Sequence, residues 1–385
     1  MPKNWTFQLA TRIEFGRGAL RRLGETAGEF GRRAVLLTYR EPGRLEDACR
    51  RAEKAFAAAG IEAARWPVVE PEPTLDQLLT LADDLRRTAP DMIVGLGGGS
   101  VLDMAKGLAA LARQPAVFDG DATGLTDALP VIAVPTTAGT GSEVSSVAVF
   151  HRRLPGGNVK KETLQGPAIT PRIAVVDPDL TIGTPAALTA AAGADALGHA
   201  IEASLSRKAG PITSLLAARA AGLLVENLPL AVAEPESPGP REPLALAAVL
   251  AGAAFDDAGV TVGHALAHGL GAVLGIPHAL AVAIATPRNL RFNAGSIEPL
   301  AALAEACGQH TGSTDEKADW FIRRIESLLS SLGLPSVAAS EGIQSELLDR
   351  LAASAVESTR SGITLNPRKV DNESLRQLFA ECLGR

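Results

Sequence analysis

Four of the six histidines in this chain, at 199, 264, 268 and 278, lie in small, apolar sequence. An aspartate, Asp195, stands four positions before the first of them. In AAGADALGHAIEA a helix would place Asp195 and His199 on one face, because residues four apart are neighbours on a helix surface. A carboxylate in such surroundings needs a partner, since an isolated buried charge is costly to desolvate. His264 and His268 repeat the four-residue spacing in GHALAHG, and His278 follows a glycine turn and Pro277. One carboxylate and three imidazoles, Asp195, His199, His264 and His278, make a set for Fe²⁺ or Zn²⁺ with a coordination position left for substrate. His151 and His310 stand outside these patterns and read as structural or exposed.

A second chemistry lies in the first half. GLGGGSVLDMAK (95–106) reads as a buried strand, a glycine turn and the start of a helix. Glycines let backbone N–H groups approach an anion, and a helix N-terminus adds unpaired donors and partial positive charge. Gly97, Gly98, Gly99 and Ser100 are therefore candidate phosphate contacts. Asp103 and Lys106 follow within two turns; Lys106 would complement phosphate or pair with Asp103. A second strand, 131–134, runs into TTAGTGSE, with Thr136, Thr137 and Thr140 at its carboxyl end, where open α/β sheets bind ligands. Two such loops suit a diphosphate. The spacing is neither that of G-x-G-x-x-G nor of a Walker loop.

The elements that must position these groups divide the chain in two. Up to about residue 183, short apolar runs at 34–39, 92–95, 131–134 and 173–176 alternate with helix-like stretches at 45–59, 75–87 and 101–112. This predicts an α/β, Rossmann-like domain with a mainly parallel sheet over residues 1–183. Trp5, Phe7, Leu9, Ile13 and Phe15 have period two and predict a strand running into a turn at Gly16 and Gly18. Thr184-Pro185 reads as a helix cap followed by proline at the first helical position. From there Ala/Leu-rich helical patterns fill residues 184–385, an all-α metal-binding domain, with EPESPGPREP (234–243) as a loop between helices.

Composition narrows the partners. The net charge of −6, with acids and bases mixed and a single tyrosine, leaves no basic stripe or stacking platform for nucleic acid. The apolar run 244–255 is only 12 residues, short of the roughly 20 that span a bilayer. The N-terminus shows no signal-peptide pattern, and Cys49, Cys307 and Cys382 are far apart. A cytoplasmic protein with reduced thiols is expected.

Together the motifs resemble the iron-containing (group III) alcohol dehydrogenase family, within the dehydroquinate synthase-like superfamily. They are TRIEFGRGAL (11–20), GLGGGSVLDMAK (95–106), PTTAGTGSEV (135–144), DPDLT (177–181), ADALGHAIEA (194–203), GHALAHGLGAVLGIPHALA (263–281) and NPRKV (366–370). The resemblance implies a homodimer that uses NAD or NADP with Fe²⁺ or Zn²⁺ on a small alcohol or aldehyde. It implies metal ligation by Asp195, His199, His264 and His278. It makes Lys161 and Leu180 cofactor contacts beside the glycine and threonine loops and Asp103, and places Tyr39 where NAD-preferring members often carry an aspartate. His268 falls near substrate and nicotinamide as a proton-relay candidate. Phe255 and the strand near Val147 fall on the pocket wall.

Three departures bear on specificity. Tyr39-Arg40 replaces the acid that would bond a ribose 2′-hydroxyl, which admits NADP, whereas Glu72 replaces Asn in the EPNP-like turn and disfavours a 2′-phosphate. Asp256-Asp257 stands where asparagines are common. A metal-independent, maleylacetate-reductase-like enzyme would lack Asp195. A dehydroquinate-synthase-like lyase would need basic residues that the helical segments do not supply. A glycerol-dehydrogenase-like enzyme fits GHALAH and NPRKV less well, and a binding protein without turnover would show a missing part.

Overall fold

The structure is a computed structural model that describes residues 4–118, 125–153, 159–338 and 344–385. Two compact units are present. Of the described residues, one comprises 9–118, 125–153 and 161–184; the other comprises 185–338 and 344–385 together with 4–8 and 159–160.

In the α/β unit, strands β1 (Arg12–Phe15), β2 (Arg33–Tyr39), β3 (Glu62–Val69), β4 (Met92–Gly97), β5 (Val131–Pro135) and β8 (Ile173–Val176) form one sheet in the order β1-β8-β5-β4-β2-β3. Every pairing is parallel. A two-residue period sorts the strand side chains onto two cores. Leu36, Met92, Val94, Ile132 and Val175 face α1 (Leu23–Ala27) and α2 (Glu46–Ala58). Val35, Leu37, Ile93 and Val131 face α3 (Leu75–Thr88) and α4 (Gly99–Arg113). Strands buried on both faces therefore read as unbroken apolar runs. The remaining strands, β6 (Val147–Arg153) and β7 (Val159–Gln165), pair as a separate two-stranded sheet.

Two of the distant motifs meet here. Asp177 of DPDLT accepts from the backbone N–H groups of Gly18 (2.9 Å) and Leu20 (3.3 Å), so it pins the FGRGAL turn that follows β1. Gly16 and Gly18 have φ of 136° and 81°, which only glycine adopts without strain.

Two sequence expectations shift. Residues 5–10 are not a strand: β1 starts at Arg12, and Trp5 and Leu9 remain exposed, so period two without a sheet partner is insufficient. Thr184 is not the helix cap; Pro185 occupies that position and no side-chain bond caps the helix.

Glu72, in the turn before α3, has φ 55°. A left-handed backbone costs an L-residue roughly 1–2 kcal/mol, and asparagine tolerates it best among residues with a side chain. Glu72→Asn should therefore raise the melting temperature by about 2 °C in differential scanning calorimetry.

The helical unit contains α5 (Ala186–Leu205), α6 (Pro211–Ala233), α7 (Arg241–Ala258), α8 (Val262–Leu274), α9 (His278–Phe292), α10 (Ile297–Ala306), α11 (Thr314–Ser331), α12 (Ser345–Ser358), α13 (Arg360–Leu365) and α14 (Asn372–Cys382). Residues 234–240 join α6 to α7 as a loop. Helix α5 is buried along nearly its whole length and packs against α6, α7 and α9. Its all-round small apolar surface is what such a central position requires. A second core lies among α8, α9, α12 and α14. Among the described residues one helix, α6, is long and apolar enough to cross a membrane; it packs against α5 and α7.

Candidate active site

The metal cluster is assembled by three helices. Asp195 and His199 project from one face of α5, and His264 from the first turn of α8. Gly275, at φ 68°, ends α8 and turns the chain so that His278 becomes the first residue of α9. Ligand atoms of Asp195, His199 and His264 lie within 4.8 Å of one another, all buried. From Asp195 Oδ1 the nearest imidazole nitrogens of His199, His264 and His278 lie at 3.9, 3.8 and 3.6 Å.

These separations are too long for hydrogen bonds. They are close to the edge of a ligand tetrahedron, about 3.4 Å for bonds of about 2.1 Å to a single ion. Asp195 Oδ1 and His264 Nε2 are buried and make no hydrogen bond, a costly arrangement that a shared cation would resolve. Charge favours it as well. Burial opposes ionisation of Asp195, but the neighbouring histidines outweigh it and hold the carboxyl well below its usual range. Burial likewise disfavours protonated His264, yet Glu202 and Asp195 overcome it and lift the ring to about 9. Two carboxylates flanking His264 thus make the cluster receptive to positive charge. Carboxylate and imidazole donors fit Fe²⁺ or Zn²⁺, so the residues match the implied metal.

His268 lies beside this cluster, its ring centroid 5.4 Å from that of His278. Its Nδ1 is 2.6 Å from Thr359 Oγ1, a partner that no sequence spacing announced. Phe255 stacks on His199 with centroids 4.3 Å apart. Asp257 accepts a hydrogen bond from Thr213 and so belongs to the helix packing of α6 and α7.

The cofactor candidates all lie in the α/β unit. Strand order reverses between β2 and β4, and such a switch point opens a ligand crevice at the strand ends. Tyr39 ends β2 there, with its hydroxyl against Gly98 and Ser100; burial raises its phenol pKa. Helix α4 begins after Gly98 with no side-chain cap, leaving first-turn N–H groups for an anion. A Cβ on Gly98 would come within 2.9 Å of Tyr39 Oη and 3.1 Å of Thr137 Oγ1; one on Gly99, within 2.7 Å of Thr140 Cγ2. The glycine turn and the threonine loop therefore pack directly together. Thr136 Oγ1 is buried without a hydrogen-bond partner, so this cradle also fits a polar ligand. Arg44 ties the loops by donating to Leu180 O (2.8 Å) and Thr136 O (3.0 Å).

Asp103 and Lys106 act on protein atoms. Asp103 accepts from Ser142 Oγ (2.6 Å) and Val149 N (3.0 Å). Lys106, fully buried, donates to Ser142 Oγ (2.9 Å), Ser145 Oγ (3.2 Å) and the Val147 carbonyl (2.8 Å). They clamp the segment after Thr140 against α4. Lys161 is buried on β7. His151, given no role by the sequence, lies near Lys161 and Glu72; burial and then the Lys161 charge keep it neutral below its usual pKa. Arg40 pairs with Glu70 at 3.0 Å on the surface.

A parallel α/β unit with an anion cradle and a helical unit with a buried Asp/His cluster fit the class of metal-assisted, dinucleotide-linked enzymes. Sequence profiles agree: residues 10–178 match "Iron-containing alcohol dehydrogenase" and residues 189–383 match the C-terminal region of the Fe-containing alcohol dehydrogenase family. The chain belongs to the iron-containing alcohol dehydrogenase family. It is 33% identical over 381 residues to the NAD-dependent methanol dehydrogenase of Bacillus methanolicus, covering 96% of this chain and 97% of that one. It is 35% identical over 378 residues to the 1,3-propanediol dehydrogenase of Klebsiella pneumoniae, covering 96% of each. Among solved structures, an archaeal halo-thermophilic Red Sea brine pool alcohol dehydrogenase matches with a TM-score of 0.91 at 28% identity, over 100% of both chains.

Proposed function

We propose that this protein interconverts small primary alcohols and aldehydes, with NAD or NADP as hydride carrier and a divalent ion held by Asp195, His199, His264 and His278. The observation that carries this reading is the convergence of one carboxylate oxygen and three imidazole nitrogens, two of those atoms being buried without hydrogen bonds. When bound, the ion supplies Lewis acidity toward the substrate oxygen and the nicotinamide supplies hydride chemistry. Gly97, Gly98, Gly99, Ser100 and Thr136, Thr137 and Thr140 hold the diphosphate, with Lys161 and Leu180 as further contacts. Phe255, stacked on His199, is assigned as an apolar contact for the substrate, and Asp103 positions the threonine loop.

The pairing of Arg40 with Glu70, and Glu72 in the same turn, support NAD over NADP, because a 2′-phosphate would meet acids there. The relatives named for methanol and 1,3-propanediol support a short substrate. Three free cysteines support a cytoplasmic setting, and the unpaired segment carrying exposed Trp5 and Leu9 supports a second copy of the chain as partner. The test is a panel of short alcohols and aldehydes with both cofactors, after chelation and readdition of Fe²⁺ or Zn²⁺. Turnover of none of them would refute the assignment.

His268 holds and moves the proton, fixed at Nδ1 by Thr359. His268→Ala should lower kcat by about 10²-fold while metal content, measured by atomic absorption, stays at the wild-type level. A parallel loss of metal would make His268 a support for the ligands instead.

A further inference from the structure

Behind the ligands lies a group that neither the motif reading nor the proposed chemistry uses. Glu202 follows Asp195 and His199 on the same stripe of α5, at i+7. It is buried, and both its oxygens are occupied by protein donors. Oε1 is 2.7 Å from His264 Nδ1. Oε2 accepts from Thr261 N (2.6 Å), Thr261 Oγ1 (3.0 Å) and His264 N (3.1 Å). Thr261 is the residue preceding α8 and makes no side-chain cap of its own. Glu202 therefore caps α8 from another helix, placing negative charge where the helix dipole favours it.

The cap extends to the NPRKV motif. Asn366 Oδ1 takes the next N–H of α8, Val262 N, at 3.4 Å, and accepts from Asn293 Nδ2 at 3.0 Å. Asn366 Nδ2 returns a bond to Asn293 Oδ1 (2.8 Å) and another to the Arg368 carbonyl (2.7 Å). Asn293 in turn donates to Asn289 Oδ1 (2.7 Å), which lies 3.4 Å from Thr261 Oγ1. Gly263 leaves the space this requires: a Cβ there would sit 2.5 Å from Glu202 Oε1 and 3.0 Å from Asn289 Nδ2.

We propose that Glu202 is the positioning residue of the metal centre: by accepting the Nδ1 proton of His264 and capping α8, it fixes that imidazole with Nε2 toward the ion. A carboxylate has only acceptors to offer, so all four donors are satisfied only if His264 carries its proton on Nδ1. That tautomer leaves the Nε2 lone pair directed at the atom of Asp195 it faces across 3.8 Å. The same partner also raises ligand basicity, and loss of such partners typically weakens metal binding 10- to 100-fold.

The proposal rests on the metal reading above, and the experiment separates the two. Zn²⁺ affinity is measured by chelator competition for wild type, Glu202→Gln and Gly263→Ala, with far-UV circular dichroism as the folding check. Both variants should bind Zn²⁺ about 10- to 100-fold more weakly, with the metal concentration for half-activity rising while kcat at saturating metal stays within a few-fold. Nitrogen-15 spectra of Zn²⁺-loaded wild type should place the His264 proton on Nδ1, a readout that holds even if a variant does not fold. Wild-type affinity in Glu202→Gln, or a proton on Nε2, would overturn the role of Glu202. Failure of the wild type itself to hold Zn²⁺ or Fe²⁺ would overturn the metal reading and Glu202 with it.

Discussion

Replacing Asp195 with alanine should lower kcat/KM by about 10³-fold and abolish stoichiometric metal, equivalent to losing about 4 kcal/mol of transition-state stabilisation. Asp195 is the one anionic ligand of the set, and its Oδ1 is the atom from which all three imidazole nitrogens are measured at under 4 Å. Without it, three imidazoles must hold the cation with no anionic ligand, Glu202 acting only from behind His264, in a buried site where electrostatic attraction is strongest. Chelation of the wild type should reproduce the loss, and readdition of Fe²⁺ or Zn²⁺ should reverse it. Readdition should not rescue the variant. Activity that survives both treatments would place the chain with the metal-independent, maleylacetate-reductase-like enzymes.

The Asp/His cluster was legible because most of its signal is local. Pairs of polar residues at i,i+4 are costly to bury in apolar helices unless a shared partner satisfies them, and Asp195–His199 and His264–His268 stand out by spacing, whereas His278 is marked only by the glycine turn before it. The buried parallel strands likewise appear as apolar runs. What the sequence hid is carried by long-range or edge geometry. β3 (EAARWPVV) lies at the sheet edge, with exposed residues and a proline that mask its pattern. The β6–β7 pair stands outside the main sheet, and segment 5–10 has strand periodicity but joins no sheet among the described residues. Lys106 illustrates the same limit: its charge acts on Asp103 as the spacing suggested, but its ammonium also meets hydroxyls 36 and 39 residues away that spacing did not announce. The Thr359 contact to His268 spans 91 residues and leaves no mark in spacing. Glu202 did leave one, as the third polar residue on the Asp195–His199 stripe.

The cofactor loops provide an equally sharp expectation. Gly97→Ala should reduce kcat/KM for the dinucleotide by about 10³-fold, mostly through KM, with metal content unchanged. A methyl at Gly97 would fall 2.4 Å from Val101 Cγ2 and 2.7 Å from Val101 Cβ. A β-branched side chain in the first turn of a helix has little rotamer freedom, so the start of α4 must move instead. That movement displaces the uncapped N–H groups assigned to phosphate. Hydrogen bonds to a charged group contribute about 1.5–3 kcal/mol each, so losing two costs roughly 10²- to 10⁴-fold. The second-site variant Gly97→Ala/Val101→Ala separates sterics from any other cause. Trimming Val101 to alanine removes Cγ2, the nearer clashing atom, and leaves Cβ at 2.7 Å, so it should recover part of the loss, about tenfold. If the double variant binds dinucleotide no better than the single one, the α4 N-terminus is not held in place by this contact. If Gly97→Ala alone leaves KM unchanged, the glycine turn is a packing device and the phosphates lie elsewhere.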